Sequence, residues 1–252
     1  MKHAINDDMR SNKKKKNKIE KALYHARPQL ILSDLSHAVS LERLGPKLFE
    51  RIYWRAPTDE LKAALTFDDG PHAESTPQVL EILKRFDVAA TFFLVGKHLE
   101  KNPWIARDMA GAGHEIGNHT YTHSMLYAST KKRIRDEIRR TDALLRNIDG
   151  VEPKFFRPPA GIFTKQVLDI AEQLGYKNVI GDVYPRDPHL PGKKKIVSRV
   201  FQRTVAGSII ILHDGGNTRK VDRSQTLEAL SEIIPSLKDK GFEFLTLSKL
   251  LP

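Results

Sequence analysis

Apolar residues alternate along this chain in two rhythms. Residues 63–67, 88–95, 114–117, 154–156, 177–180, 208–212 and 242–247 form short, mostly apolar runs, the pattern of strands covered on both faces. Between them apolar residues recur at helical spacing. Val79, Ile82, Leu83 and Phe86 follow Thr76-Pro77, a cap with proline at the first helical position, and Asn102-Pro103 repeats that signal before a helix ended by Gly111 or Gly113. Ser129 or Thr130 opens a helix whose inward face is Ile134, Ile138, Thr141 and Leu145, its remaining residues being charged and solvated. Thr164 caps a helix with Val167, Ala171 and Leu174 inward and Gly175 at its end. Ile196, Val197, Val200 and Phe201 line the next, and Leu227, Leu230, Ile234 and Leu237 the last, which starts at Ser224 and stops at Gly241.

Strands and helices alternating this regularly, without two-residue hairpin turns, predict parallel strands joined by right-handed crossovers. Seven such units can wind into an incomplete barrel or lie open as a doubly wound sheet. The first strand is followed by neither a Gly-x-Gly-x-x-Gly fingerprint nor a phosphate-binding loop, so a nucleotide-binding open sheet has no support. Residues 1–60 read as a basic N-terminal extension. Its first 20 or so positions lack core-forming residues, and the spacing of Leu41, Leu44, Leu48, Phe49 and Ile52 predicts a short amphipathic helix packing on a main domain at 61–252.

Composition narrows the chemistry. The 252 residues, 40% hydrophobic and 29% charged, can bury one substantial core. Cysteine is absent, which excludes disulfides and thiolate sites and confines any metal to nitrogen and oxygen ligands. The formal charge of +11 favours anionic surfaces, and Lys13, Lys14, Lys15, Lys16 and Lys18 suit a weak contact with an anionic membrane or cell-wall polymer. The stretch after these lysines is too broken by polar residues for a signal-peptide core, and no window is long enough to span a bilayer. A cytoplasmic location, or a peripheral one on the inner membrane surface, is the expectation. A nucleic-acid binder lacks both a motif and basic-aromatic interleaving.

Parallel α/β folds build their sites beyond the carboxyl ends of the strands. Asp68 and Asp69, Asn118, His119 and His123, Arg157, Asp182 and Asp187, and His213 and Asp214 all fall at such ends. Adjacent carboxylates repel, a cost relieved by water, a shared proton or a cation. His119 and His123 are four residues apart, a spacing that on a helical turn lets both imidazoles grip one divalent ion. Thr120 stands between them where a His-Glu-x-x-His motif carries its base, so the base must come from elsewhere, with Asp68 or Asp69 the obvious supplier. Arg157 precedes the stiff Pro158-Pro159-Ala160-Gly161 loop, whose fixed N–H groups suit an oxyanion site.

Taken in order, Thr66-Phe67-Asp68-Asp69-Gly70-Pro71, His119-Thr-Tyr-Thr-His123, Arg157-Pro-Pro-Ala-Gly161, Asp187 and Ile211-Leu212-His213 resemble the motifs of the polysaccharide deacetylases of carbohydrate esterase family four. The resemblance spans about Lys62 to Pro252. It implies an α/β fold, a distorted, incomplete (β/α)7-type barrel, that uses a divalent metal to remove acetyl groups from N-acetylglucosamine-type oligo- or polysaccharides such as chitooligosaccharide or peptidoglycan. The metal would most often be zinc, with Co2+, Ni2+ or Mn2+ as alternatives. By position, Asp69, His119 and His123 would hold the metal, and Asp68 would be the base, oriented and kept ionised by Arg157. His213 would be the acid, held by Asp187; the Ala160 N–H would take the oxyanion, with Leu212 on the substrate side. Three departures bear on the substrate. Ala160 stands where an aromatic is usual, Tyr184 where an acid is, and Pro188 where a tryptophan is. The alternatives are a carbohydrate-binding pseudoenzyme and an O-acetyl esterase.

Overall fold

The computed structural model describes residues 51–216 and 221–252. A two-residue strand, β1 (Ile52–Tyr53), precedes β2 (Lys62–Asp68). Then follow α1 (Ser75–Arg85), β3 (Thr91–Leu94), α2 (Gly96–Lys101), α3 (Pro103–Gly111), β4 (Glu115–Asn118) and α4 (Lys131–Arg146). The second half carries β5 (Phe155–Phe156), α5 (Lys165–Gln173), β6 (Lys177–Val179), α6 (Lys193–Arg203), β7 (Ile209–His213), α7 (Ser224–Asp239), β8 (Glu243–Phe244) and α8 (Leu247–Leu250). Each of the seven expected strands is present, most of them shorter than the apolar run that announced it.

The strands run in the order β1-β6-β5-β4-β3-β2-β7, and β8 pairs with the first residues of β2. The pairings that join β2 through β7 are all parallel. The chain leaving β6 then crosses to the other edge of the sheet. Val183 forms a parallel bridge with Ile210, and the Ile211 N–H donates to the Val183 carbonyl at 2.9 Å. This bridge draws the chain beyond β6 against β7 and makes a distorted, incomplete barrel, the one of the two windings that the family resemblance implies.

Side chains alternate between the two surfaces of the curled sheet. Leu65, Phe67, Phe92, Leu94, Ile210 and Leu212 meet Val79, Leu83, Ile196, Val200, Leu230 and Ile234 in the layer beneath the helices. The rings of Phe67 and Phe92 stack there at 5.0 Å. Ala64, Phe93, Phe155 and Ile209 turn the other way and pack with Leu247, Leu250 and Leu251. Alternation then leaves Thr66, Asp68, Arg157 and His213 as the next inward positions towards the carboxyl ends, where the apolar filling gives way to polar groups.

Several local expectations change. Residues from Tyr53 onward already belong to the compact unit, with Trp54 and Ala56 buried and the Ala56 N–H on the Gly207 carbonyl at 2.9 Å. The helix expected over 41–52 lies outside the described residues except at its end, where Ile52 is in a strand. Thr130 and Thr164 do cap their helices. Thr76 does not: it sits inside α1 and gives its hydroxyl proton to the Asp214 carboxylate at 2.5 Å. Ser224 likewise falls inside α7, and the carboxylate of Asp222 accepts its N–H.

Candidate active site

The carboxyl ends of β2, β4, β5 and β7 bring most of the expected residues into one cluster. Asp68 ends β2 and Asp69 follows it with a left-handed backbone, φ 72°. That reversal points the two adjacent carboxylates apart. Asp68 Oδ1 accepts from Arg157 Nη1 at 2.6 Å, whereas Asp69 Oδ1 lies 3.1 Å from His123 Nε2 and 3.6 Å from His119 Nε2. Asp68, Asp69, His119, Arg157 and Asp187 are all buried.

The loop after β4 carries the histidines, and it departs from the helical turn that their spacing predicts. Residues 119–123 are not helical, and Thr120 and His123 have φ of 68° and 56°. The rings still converge, with centroids 4.9 Å apart, because two left-handed residues fold the loop back on itself. His119 Nδ1 lies 2.7 Å from the Arg157 carbonyl, which can only accept, so Nδ1 carries the proton and Nε2 turns its lone pair to Asp69. Burial first, then the neighbouring His123, lowers the His119 pKa to about 3, so the ring is neutral at ordinary pH.

Asp69, His119 and His123 each offer one ligand atom, all within 4.8 Å of one another. Asp69 Oδ1 is buried with no hydrogen-bond partner and faces the His119 lone pair. Two acceptors turned on one another repel, and a cation between them would relieve it. A nitrogen–nitrogen–oxygen donor set of this kind fits zinc or a similar divalent ion.

Arg157 is the largest fully buried side chain at the barrel mouth. Nη1 reaches both Asp68 and the Thr66 hydroxyl, at 2.6 and 2.9 Å, and the guanidinium carbon lies 4.0 Å from the Phe93 ring centroid. On the other side of Asp68, His213 Nδ1 donates to Asp187 Oδ1 at 3.0 Å. Asp187 Oδ2 accepts from the His213 N–H at 3.0 Å and from the Thr226 hydroxyl at 2.9 Å. Burial lowers the His213 pKa, but Asp187, with smaller help from Asp68 and Asp69, more than offsets it and raises the pKa to about 9. The Tyr184 ring stands 6.0 Å from that of His213. In the turn after Arg157, Ala160 is exposed at φ 54°, while the N–H groups that hold the turn belong to Gly161 and Ile162.

Leu212 does not take the substrate-side place expected of it. It is fully buried among the helix-facing residues, on the face of β7 opposite His213. Period-two alternation puts Ile211 on the His213 face instead. Asp182 stands at the start of β7, where it accepts from Ile209 N and Ser208 Oγ. Asn118 braces the histidine loop, accepting from Thr120 N and donating to the Ile138 carbonyl and the Tyr176 hydroxyl. Asp214, whose pKa burial raises to about 7, packs against Gly70 and binds Thr76.

Two groups escaped the sequence. His98 on α2 has Nδ1 2.7 Å from the Asp69 carbonyl, so it holds the ligand loop by its backbone. Glu137 lies on the side of α4 that composition marks as solvated, yet it is buried against the histidine loop. Its spacing from Ile134 and Ile138, three residues after one and directly before the other, was the available signal.

Known proteins share the sequence and the fold. The family model described as polysaccharide deacetylase matches residues 55–179. A peptidoglycan-N-acetylglucosamine deacetylase of Bacillus cereus is 41% identical over 210 residues, which is 79% of this chain and 92% of that protein. A chitooligosaccharide deacetylase of Bradyrhizobium sp. is 39% identical over 194 residues, 74% of this chain and 89% of that one. A crystal structure of a peptidoglycan N-acetylglucosamine deacetylase with a benzamide ligand superposes with a TM-score of 0.76 at 36% identity, covering 80% of this chain and 92% of the other. With the barrel, its motifs and these relatives in agreement, the chain belongs to the polysaccharide deacetylase family.

Proposed function

We propose that the protein is a metal-dependent N-deacetylase of N-acetylglucosamine-containing glycans of the peptidoglycan or chitooligosaccharide type. The observation that carries this reading is the pairing of unlike groups around one cleft: an Arg-held carboxylate, Asp68, and an Asp-held imidazole, His213, flank the Asp69, His119 and His123 donor set. The named activities of the relatives support the substrate class.

Asp69, His119 and His123 would hold the divalent ion. When bound, that ion supplies a Lewis acid that makes water more acidic and an amide carbonyl more electrophilic. Asp68 takes the proton of the attacking water, with Arg157 fixing its Oδ1 and Thr66 fixing Arg157 in turn. The new C–O bond forms at the acetyl carbon, and the backbone N–H of Ala160, in the exposed turn after Arg157, would serve the oxygen on which negative charge develops. His213, its Nδ1 committed to Asp187, presents Nε2 to the amide nitrogen and gives it a proton as the C–N bond breaks. Acetate and a free amine leave. Asp68 and His213 thus play the base and acid roles that differently tuned neighbours allow near neutral pH.

The test is release of acetate from peptidoglycan fragments and from chitooligosaccharides by zinc-loaded protein. Acetate with an equal amount of new amine is expected. No acetate from a broad panel of acetylated glycans, despite glycan binding, would leave a carbohydrate-binding pseudoenzyme as the reading.

A further inference from the structure

The backbone N–H groups of the histidine loop can be accounted for one by one. That of His119 goes to the Leu94 carbonyl at 3.0 Å, that of Thr120 to Asn118 Oδ1 at 2.9 Å, and that of His123 to Thr120 Oγ1 at 3.1 Å. The two between them, from Tyr121 and Thr122, both go to Glu137 Oε2, at 3.1 and 2.7 Å. Glu137 Oε1 takes the Thr122 hydroxyl proton at 2.7 Å. One carboxylate therefore satisfies three donors at the middle of the loop. Buried donors left without an acceptor are costly, so the loop depends on that carboxylate.

The loop has need of such a fastening. Thr120 is β-branched and holds φ of 68°, and His123 holds 56°, conformations that persist only where surrounding contacts over-determine them. Glu137 is itself fixed, because α4 is seated through Ile134, Ile138, Thr141 and Leu145 and capped by Thr130.

We propose that Glu137 is a positioning residue for the ligand pair: by anchoring Tyr121 and Thr122 it sets the angle at which His119 and His123 converge on Asp69, and so sets metal affinity. This rests on the metal reading above. It is tested by measuring zinc affinity of the full chain by competition with a chromogenic chelator, for wild type, Glu137→Gln and Glu137→Ala. Loss of an outer-shell partner typically costs about 10–100-fold in metal affinity, and Glu137→Ala is expected in that range. Glu137→Gln should fall between it and wild type, since an amide oxygen still accepts the N–H groups but without the charge. Turnover of both variants should return as zinc is raised, with KM for the glycan unchanged.

Wild-type zinc affinity in Glu137→Ala, or turnover that saturating zinc does not restore, overturns the inference. Should Glu137→Ala fail to fold, unchanged affinity in Glu137→Gln overturns it equally. If wild type takes up no zinc at all, it is the metal reading that fails, a result visible before either variant is made.

Discussion

Two buried ion pairs flank the same cleft, and they are built in opposite senses. In Arg157–Asp68 the permanent charge is the cation, and the group it holds is the carboxylate proposed as the base. In Asp187–His213 the carboxylate is the holder, and the imidazole proposed as the acid can gain or lose its proton. Arginine stays protonated at any pH a protein meets, so the base side of the site is fixed. The acid side is adjustable, and Asp187 has moved His213 from 6.5 to about 9 against the pull of burial. One pair supplies constancy and the other sets a limit in pH.

Breaking the fixed pair should do the most damage. Arg157→Ala leaves Asp68 buried without its partner, a loss expected to cost about 3–5 kcal/mol of stability. Urea denaturation of the metal-free protein measures it, and a change confined to turnover would mean that the cleft is wetter than its geometry. Asp68→Asn keeps the shape but removes the base, so turnover should fall by about 10²–10⁴-fold. Zinc content should stay at the wild-type level, in contrast to His119→Ala, which is expected to lose the metal itself. Equal zinc and equal residual activity in these two variants would contradict the separation of base from ligand.

The adjustable pair should respond to pH more than to denaturant. The acid role proposed for His213 needs its protonated form, so turnover should decline as pH rises through about 9. Its folded pKa lies above the ordinary 6.5, so its contribution to stability is complete below 6.5 and is lost as pH rises through about 9. Asp187→Asn removes the main force raising that pKa while leaving the burial that lowers it. The alkaline limb of the pH–rate profile should therefore move down, to 6.5 or below. A limb that stays in place would assign it to another group. Thr226→Val is the mildest probe. It withdraws one hydrogen bond from Asp187, worth about 1 kcal/mol, and should shift the limb by less than about one pH unit, with kcat at neutral pH little altered.

The chain was most legible where one period dominates. Apolar runs separated by helices gave the parallel strands and their ends, and with them the places of Asp68, Asp69, Arg157 and His213, while the choice of a barrel over an open sheet came from the motif resemblance. The strand alternation also held the correction at Leu212, since Ile211 lies two residues before His213 and shares its face. What stayed hidden depends on backbone handedness and on contacts distant in sequence. Spacing alone does not reveal that Thr120 and His123 have positive φ, so a loop passed for a helical turn. A glutamate among arginines and lysines reads as solvated until the loop that it holds is folded beside it. Thr76 resembles a cap because nothing near it in sequence hints at Asp214, 138 residues away.

The crossing made by the chain after β6 reaches further than architecture. Residues 182–187 seal the sheet at Val183 and, four residues later, deliver Asp187 to His213. The seam of the barrel and the carboxylate that holds His213 are thus one piece of chain. A one-residue insertion between Val183 and Asp187 is expected to leave the Val183–Ile210 bridge in place while drawing Asp187 away from His213, so that the ring loses its proton at a lower pH.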